Sequence, residues 1–453
     1  TGSVYEGRLE LADSPIERAR AGDAQARKAK AWQAFERFMA RADEVRRLRV
    51  RANADTPTQA ANAIERGAEG IGLCRTEHMF LGEDRLPVVR RMILADTREE
   101  ELEALEELRV VQRADFVDIL TAMDGLPVTV RLLDPPLHEF LPSTHELAVK
   151  EATVGLTPEE QRLFDAARAW QEANPMLGTR GVRLGVVKPG LYAMQVRALI
   201  EAARDRLAAG GHPVVEVMIP LTVSREEMAL ARGWVEQAVA EVLAEAPTAK
   251  ATKGKAPRRK GDGSLEVTIG TMIETPRAAL VAGEIAEAAE FFSFGTNDLT
   301  QMTFGFSRDD VEGRMMAAYL ELGLLARNPF ETVDPAGVGE LVRIGVARGR
   351  ATRPDLKVGV CGEHGGDPES IATFYAAGLD YVSCSPFRVP VARLAAAQAV
   401  LGAGTSANGA GRRAGEAHGA KPKAPASVNG GAGRTTKTAK ATKGKVAAKS
   451  GRR

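Results

Sequence analysis

The chain has 453 residues, of which 44% are hydrophobic and 27% are charged, which is ordinary for a soluble globular protein. No apolar run reaches the ~20 residues of a membrane-spanning helix, and the near-zero net charge of +1 argues against a uniformly basic nucleic-acid-binding protein. We therefore expect neither membrane nor nucleic acid as a partner. The three cysteines are too few, and odd in number, for a disulfide framework, which favours a cytoplasmic location.

The first 42 residues do not follow the pattern of the rest of the chain. Residues 24–41 include six charged side chains and predict a single charged helix. We place this helix outside the main domain, as a lead-in to it.

From residue 43 to residue 401, short β-rich runs alternate with helical patterns. The predicted helices include residues 191–207, 224–244, 277–289 and 368–377. The runs that predict strands are residues 50–54, 70–74, 128–132, 181–185, 214–219, 267–273, 291–294 and 358–360. Eight strands that alternate with helices predict an α/β fold in which a parallel sheet closes into a (β/α)8 TIM barrel.

Two segments have a different, low-complexity composition. Residues 247–263 and residues 402–453 are rich in Lys, Ala, Gly and Thr, and both contain the octapeptide Thr-Ala-Lys-Ala-Thr-Lys-Gly-Lys. Such segments bury too little apolar surface to fold, so we predict a disordered insertion and a disordered basic C-terminal tail. Attachment of these segments to a polyanion is the alternative reading.

Charged side chains and a thiol follow most of the predicted strands. In a barrel, the carboxyl ends of all the strands open at one face, where barrel enzymes carry their chemistry. The residues concerned are Arg75, Glu77, His78, Arg131, Asp134, Arg180, Glu274, Asp298, Cys361 and His364. The sequence therefore predicts that these groups converge at the mouth of the barrel.

Glu274 and Asp298 are the best candidates for metal ligands, because Mg²⁺ prefers a few carboxylates and completes its shell with substrate and water oxygens. The alternative is that Glu274 pairs with Arg277 while Asp298 caps the helix that follows it.

Arg75, Arg131 and Arg180 have planar guanidinium groups suited to phosphate or carboxylate oxygens. Gly295 and Thr296 could offer backbone N–H groups to an anion at a helix start.

Cys361 precedes a glycine-rich turn, a place for a reactive thiol. A zinc site built from Cys74, His78, Cys361 and His364 is a competing interpretation, although opposed barrel strands are not the compact loops that usually hold structural zinc.

Six segments together resemble the phosphoenolpyruvate/pyruvate-binding domain of the pyruvate, phosphate dikinases. They are GIGLCRTEHMF at 70–80, RLLDPPLHEF at 131–140, NPMLG at 174–178, MIETPR at 272–277, FFSFGTNDLTQ at 291–301 and CGEHGGDP at 361–368. Phosphoenolpyruvate synthases share some of these elements, whereas RLLDPP and CGEHGG look like the dikinases.

The resemblance implies Mg²⁺-dependent phosphoryl transfer between a phosphohistidine and pyruvate, within the conversion of ATP, phosphate and pyruvate to AMP, diphosphate and phosphoenolpyruvate. By motif, Arg75 and Arg131 would hold the phosphoryl group, and Glu274 and Asp298 the magnesium ion. Gly295, Thr296, Asn297 and Arg180 would contact substrate, and Cys361 would act as the acid/base at the methyl carbon.

The resemblance also implies partners. No Gly-Gly-x-Thr-Ser-His phosphohistidine segment and no ATP-binding domain are recognisable, and residues 1–10 look like the closing strand of the former domain. We therefore expect these two domains to be supplied from elsewhere, and a homodimer to form through the barrel. A non-catalytic phosphoenolpyruvate-binding module remains an alternative. Family members often have a ring side chain at the position of Thr179, which leaves that contact open.

Overall fold

The structure, a computed structural model, describes residues 14–245 and 265–410, and side chains as far as residue 403. The predicted strand at residues 1–10, the predicted insertion at 247–263 and the predicted tail beyond residue 410 lie outside the described residues. Within them, no helix is both long and apolar enough to cross a bilayer.

Eight strands form one closed barrel in which each strand is parallel to its neighbours in the chain and β8 pairs with β1. The strands are β1 Arg49–Asn53, β2 Ile71–Arg75, β3 Pro127–Arg131, β4 Val214–Ile219, β5 Glu266–Ile273, β6 Phe291–Phe294, β7 Lys357–Val360 and β8 Tyr381–Cys384. The strands are largely buried, because the barrel interior covers one face and the helices cover the other. The predicted (β/α)8 fold is confirmed.

Nineteen α-helices lie in the described part of the chain. They are α1 Pro15–Arg20, α2 Lys30–Val45, α3 Pro57–Glu65, α4 Glu77–Phe80, α5 Leu86–Leu94, α6 Arg98–Ala122, α7 Thr144–Thr153, α8 Pro158–Trp170, α9 Val182–Val187, α10 Pro189–Ala208, α11 Arg225–Ala244, α12 Pro276–Leu280, α13 Ala282–Ile285, α14 Thr296–Phe304, α15 Arg308–Arg314, α16 Met316–Glu321, α17 Val338–Thr352, α18 Pro368–Ala377 and α19 Val389–Ala410. Short 3-10 turns lie at Ala26–Lys28, Leu137–Phe140, Pro175–Leu177, Glu363–Gly366 and Pro386–Arg388.

One predicted strand was wrong, and one strand was not predicted. Residues 181–185 are not extended: Gly181 has a φ of 57° and precedes the helix α9. The eighth strand is instead β8, Tyr381–Cys384. The alternating apolar residues of 181–185 fit either conformation, because periodicity does not separate a short buried helix from a short strand.

Two predicted boundaries also moved. The lead-in helix is α2, Lys30–Val45, whereas residues 24–29 form a turn and a short 3-10 segment. The last helix, Val389–Ala410, continues beyond residue 401, the predicted end of the barrel.

An irregularity in β2 sets its register against β3. Ile71 pairs with Val128, but Cys74 pairs with Val130, so β2 uses one more residue than β3 over this stretch. Beyond the irregularity, Arg75 lies directly opposite Arg131. Gly72 lies within the bulged stretch, where a Cβ atom would stand 2.5 Å from Ser383 Cβ. Bulges of this kind are common beside active sites, because they change the direction of a side chain.

A buried ionic group fills the end of the barrel opposite the mouth. Arg51 and Glu216, each at most 3% exposed, form an ion pair of 2.8 Å. Lys357 also contacts Glu216, and Thr129 donates to it at 2.7 Å. The two cations hold the pKa of Glu216 at about 2 despite burial, which would raise it. This group closes the floor of the barrel.

Candidate active site

A small cavity of about 90 Å³ lies at the mouth, where the strands end. Its walls are formed by Asn53, Leu73, Arg75, Arg131, Met272, Glu274, Gly295, Asn297, Asp298, Cys361, Gly362 and Glu363. Seven of the nine predicted site residues are among them. The other two, Thr296 and Arg180, lie next to it, so the structure brings the nine residues together at the mouth of the barrel.

Three carboxylates come together beside this cavity. One oxygen each of Asp134, Glu274 and Asp298 lies within 4.8 Å of the others. Asp134 and Glu274 are buried, and Asp298 is partly exposed. Such a spacing of hard oxygen ligands fits a cation of the size and charge of Mg²⁺.

Glu274 is the deepest of the three, with 1% of its surface exposed. Burial, followed by the charges of Asp134 and Asp298, raises the pKa of Glu274 well above its ordinary value. One of its oxygens accepts the backbone N–H of Leu221 at 2.7 Å. Leu221 has a φ of 59°, a left-handed conformation that costs a non-glycine residue about 1–3 kcal/mol. The Leu221 N–H fixes the position of the Glu274 carboxylate, whose charge is partly offset by Arg180 and Arg131 and would be offset further by a bound cation or a proton.

Gly295 has no side chain and so leaves room for the carboxylate of Glu274. A Cβ atom at Gly295 would lie 2.6 Å from Met272 Sδ and 2.8 Å from Glu274 Oε2. The N–H of Gly295 donates to the Ile273 carbonyl at 3.1 Å, so it is not free for an anion. The contribution of Gly295 to the site is therefore room rather than a hydrogen bond.

The buried Arg131 and the partly buried Arg180 balance the carboxylates. Arg131 contacts Glu77, and its Nη1 lies 2.7 Å from Asp134. Arg180 reaches Asp134 at 2.6 Å and Asp298 at 3.2 Å. Arg131 and Arg180 lower the pKa of Asp134 in spite of its burial, which acts in the opposite direction. Asp134 is therefore committed to the arginines, which leaves Glu274 and Asp298 as the stronger candidates for metal ligands.

Arg75, in register with Arg131 on the neighbouring strand, is held by Asp55. The Asp55 carboxylate accepts the backbone N–H of Arg75 at 2.7 Å and pairs with its guanidinium at 3.0 Å. The same carboxylate contacts His78 Nδ1 at 2.8 Å. Since the side chain of Arg75 is still 34% exposed, it can turn toward an anion in the cavity.

Cys361 is buried at the end of β7, with 2% of its surface exposed. Its thiol lies 3.8 Å from the Phe294 carbonyl. Burial raises the pKa of Cys361 to about 11. The group is therefore a protonated thiol at neutral pH and can give a proton to a carbon atom placed in the cavity.

Helix α14 begins at the edge of the cavity. Thr296, Asn297 and Asp298 form its first turn, and the amides of a first turn have no acceptor within their own helix. The side chain of Asn297 accepts the N–H of Glu363 at 3.2 Å, which ties this turn to the segment after Cys361. The predicted helix-start position is confirmed for Thr296.

A second cavity, of about 920 Å³, opens outward from Arg131 and Asp298. Arg180 lies in its wall, together with the loop that begins at Pro135 and the segment that begins at Asn174. This space is several times larger than the small cavity. It leaves room for a bulky group to approach the carboxylates from outside.

The alternative roles considered for individual residues do not match the structure. Arg277 contacts the Val223 carbonyl and not Glu274, and Asp298 lies inside the first turn of α14 rather than at its cap. His78 and His364 are bonded to other groups. Among the described residues, only the three carboxylates form a cluster suited to a metal ion, so the zinc interpretation was wrong.

Sequence reasoning did not assign a role to Asp134, Asp55 or Glu77. All three neutralise the predicted arginines. The sequence does indicate a site role for Asp134, since this residue stands three residues after Arg131 at a strand end and before two prolines. The sequence gives no such indication for Asp55, because a single acidic residue before a helix is usually a helix cap.

Comparison with known proteins agrees with this geometry. Residues 29–401 match the family model described as PEP-utilising enzyme, PEP-binding domain. The chain belongs to this family. Pyruvate, phosphate dikinase 1, chloroplastic, from Arabidopsis thaliana is 52% identical over 373 residues, which are 81% of this chain and 37% of that protein. Pyruvate, phosphate dikinase 2 from Oryza sativa subsp. japonica is 52% identical over 366 residues, 80% of this chain and 40% of that protein.

The chain thus spans less than half the length of these curated relatives of the PEP-utilising family. A solved citrate lyase from Burkholderia xenovorans LB400 covers 69% of this chain and is itself covered to 81%, at 13% identity and a TM-score of 0.30.

Proposed function

We propose that this chain is the part of a pyruvate, phosphate dikinase that binds phosphoenolpyruvate and pyruvate, and that it transfers a phosphoryl group between a phosphohistidine and pyruvate. The observation that carries this proposal is the small cavity, whose wall combines Cys361, the carboxylates Glu274 and Asp298, and the arginines Arg75 and Arg131. Family membership and the identity to dikinases support it. The proposal includes the overall reaction, in which the complete protein converts ATP, phosphate and pyruvate to AMP, diphosphate and phosphoenolpyruvate.

Glu274 and Asp298 would hold Mg²⁺. The raised pKa of Glu274 beside two other carboxylates is the physical reason to expect a cation there. When bound, the ion would supply positive charge next to a carbonyl oxygen of the substrate. Arg180 now lies against Asp298, so it would have to share this carboxylate with the ion.

Arg75 and Arg131 would receive the phosphoryl group. They are paired in register on neighbouring strands and both line the small cavity, so their guanidinium groups can reach the oxygens of one phosphate together. Their positive charge would neutralise the charge that spreads over the phosphoryl oxygens during transfer.

Cys361 would move the proton at the methyl carbon. In the direction of phosphoenolpyruvate, the Cys361 thiolate removes a proton from pyruvate, the substrate oxygen at C2 bonds to phosphorus, and the bond from phosphorus to the histidine nitrogen breaks. In the reverse direction, the thiol returns the proton to C3 while phosphorus passes back to the histidine. The raised pKa of Cys361 makes the thiol the resting form, so the thiol would have to lose its proton before it could act as the base in the first direction.

The larger cavity suggests where the phosphohistidine would come from. It opens beside Arg131 and Asp298 and would admit an imidazole carried by a separate domain. We propose that a phosphohistidine domain and an ATP-binding domain are the partners, that the barrel forms a homodimer, and that the protein works in the cytoplasm. The three buried cysteines are free thiols, which supports a reducing compartment.

The deciding experiment is Mg²⁺-dependent exchange of the pyruvate methyl protons with deuterated water, followed by NMR. We expect exchange with the wild-type chain, and a loss of about 10²- to 10⁴-fold with Cys361→Ala while pyruvate still binds. Equal exchange in both proteins would remove Cys361 from the mechanism. Binding of phosphoenolpyruvate without any exchange in the wild type would instead favour the binding-module alternative.

A further inference from the structure

His364 lies three residues after Cys361, in the 3-10 turn Glu363–Gly366, and is completely buried. Its ring makes two hydrogen bonds to other parts of the chain. Nδ1 lies 2.8 Å from the Thr296 hydroxyl, and Nε2 lies 2.8 Å from the Pro329 carbonyl. The ring therefore joins three segments that are far apart in sequence.

These two partners determine where the protons are. A carbonyl oxygen only accepts, so Nε2 of His364 carries a hydrogen and donates it to Pro329. Burial lowers the pKa of His364, so the ring is neutral and Nδ1 has a free lone pair. The Thr296 hydroxyl must then donate to Nδ1, which fixes the orientation of the Thr296 side chain.

Thr296 lies where the first turn of α14 packs against the turn that carries Cys361. It opens α14, between Gly295 and Asn297. Its Oγ1 is packed against Gly362, since a Cβ atom on that glycine would stand 2.0 Å away. Gly362 directly follows Cys361, so a shift of Thr296 would be transmitted to the thiol through this contact.

We propose that His364 is a positioning residue for the proton transfer: through Thr296, it fixes the first turn of α14 against the turn that carries Cys361. The distance between the thiol and the substrate carbon then depends on the hydrogen bond to Nδ1. This inference rests on the proposed function and assigns a role to a residue that does not reach the small cavity. A misplacement of about 1 Å can reduce an enzymatic rate about 100-fold.

Two substitutions separate this role from that of a merely structural buried histidine. The Oδ1 of His364→Asn falls near the place of Nδ1, so it can still accept from Thr296 but cannot reach Pro329. The Nε2 of His364→Gln falls near the place of the ring Nε2, so it can still donate to Pro329 but cannot accept from Thr296. Both variants remove part of the ring volume, so they control for each other.

The test is the exchange of pyruvate methyl protons in the presence of Mg²⁺, measured as kcat and KM, together with Tm. We expect His364→Gln to reduce kcat about tenfold or more, with KM within about threefold of the wild type, and His364→Asn to keep kcat within about threefold. Thr296→Val should reproduce the effect of His364→Gln, and the double variant should be no worse than either, because both remove one hydrogen bond. If His364→Gln does not fold, Thr296→Val alone carries the test.

Two results would overturn this role. One is an equal loss of kcat in His364→Asn and His364→Gln. The other is a loss that follows Tm or changes KM and kcat together. A wild-type protein that does not exchange protons would overturn the proposed function as well, which is distinguishable from failure of the His364 role alone.

Discussion

The guanidinium of Arg180 lies 3.2 Å from the carboxylate of Asp298, so one proposed magnesium ligand already has a cationic partner. The same guanidinium is also bonded to Asp134. A metal ion at Asp298 and the charge of Arg180 therefore compete for the same oxygens.

This competition predicts the behaviour of Arg180→Gln. Loss of the guanidinium should tighten the binding of Mn²⁺, used as a spectroscopic substitute for Mg²⁺, by roughly threefold to tenfold, because one positive charge near the ion is removed. Phosphoenolpyruvate should bind more weakly, since an anion partner is lost. Paramagnetic resonance titration measures the first effect, and weaker Mn²⁺ binding would contradict the assignment. Arg343→Gln, on the surface beside Glu340, is the control.

The raised pKa of Glu274 predicts that the stability of the folded protein changes with pH, and that bound metal reduces this change. Its pKa is raised in the folded protein, so folding favours the protonated form. Without metal, stability should therefore fall as pH rises from the ordinary carboxyl value of 4.5 toward the raised pKa of the folded state. Thermal unfolding of the metal-free protein should show this fall, and saturating Mg²⁺ should reduce it. Glu274→Gln should lose both the pH slope from this group and the effect of Mg²⁺; an unchanged slope would contradict our account.

Gly295→Ala tests the space beside Glu274. The added methyl group would meet Met272 and Glu274 at under 3 Å, so we expect a destabilisation of about 1–3 kcal/mol and a clear loss of Mn²⁺ affinity. Gly233→Ala is the matched control, because nothing lies within 4 Å of its new Cβ atom and alanine stabilises a helix by about 0.5–1 kcal/mol. Normal metal binding by Gly295→Ala would show that the space is not required.

The Cys361 thiol should react slowly with iodoacetamide at neutral pH. Since burial raises its pKa to about 11, the rate should increase about tenfold for each pH unit between pH 7 and 9.5. Mass spectrometry of the labelled peptide measures this rate. Cys361→Ala gives the background from Cys74 and Cys384, and a plateau near pH 8 would contradict the expected pKa.

Glu216→Gln tests the floor of the barrel. Removing this carboxylate leaves Arg51 and Lys357 without their shared partner, so we expect a loss of about 3–5 kcal/mol at pH 7. The pKa of Glu216 is lowered to about 2, so its contribution is present above pH 4.5 and disappears as pH falls through about 2. Denaturant unfolding should show the difference from the wild type shrinking on acidification. The exposed Glu36→Gln is the control, and a similar loss there would refute the argument.

The barrel was predictable from sequence because most of its strands are short β-rich runs that alternate with helical segments. The exception is instructive: residues 181–185 and β8 are both short and apolar, and only the closed pairing of β8 with β1 decides between them. Strand identity in that case is a property of the whole barrel rather than of the local sequence.

The sequence was sufficient to predict many of the residues of the candidate site, but not how they contact one another. Strand ends identified Glu274, Asp298 and Cys361, since charge or a thiol there is unusual. The role of Asp134 as the anion shared by two arginines was not predictable, because it depends on Arg180, which is 46 residues away. The buried contacts of His364 were equally hidden, since they join three distant segments.

The extra residue in β2 has a consequence for how this site can change. Arg75 lies opposite Arg131 only because β2 is one residue longer than β3 between their paired positions. Deletion of that residue would leave both arginines in the sequence, yet it would turn Arg75 to the other face of the strand. The length of this one strand is therefore as much a determinant of the proposed phosphate recognition as the arginines themselves.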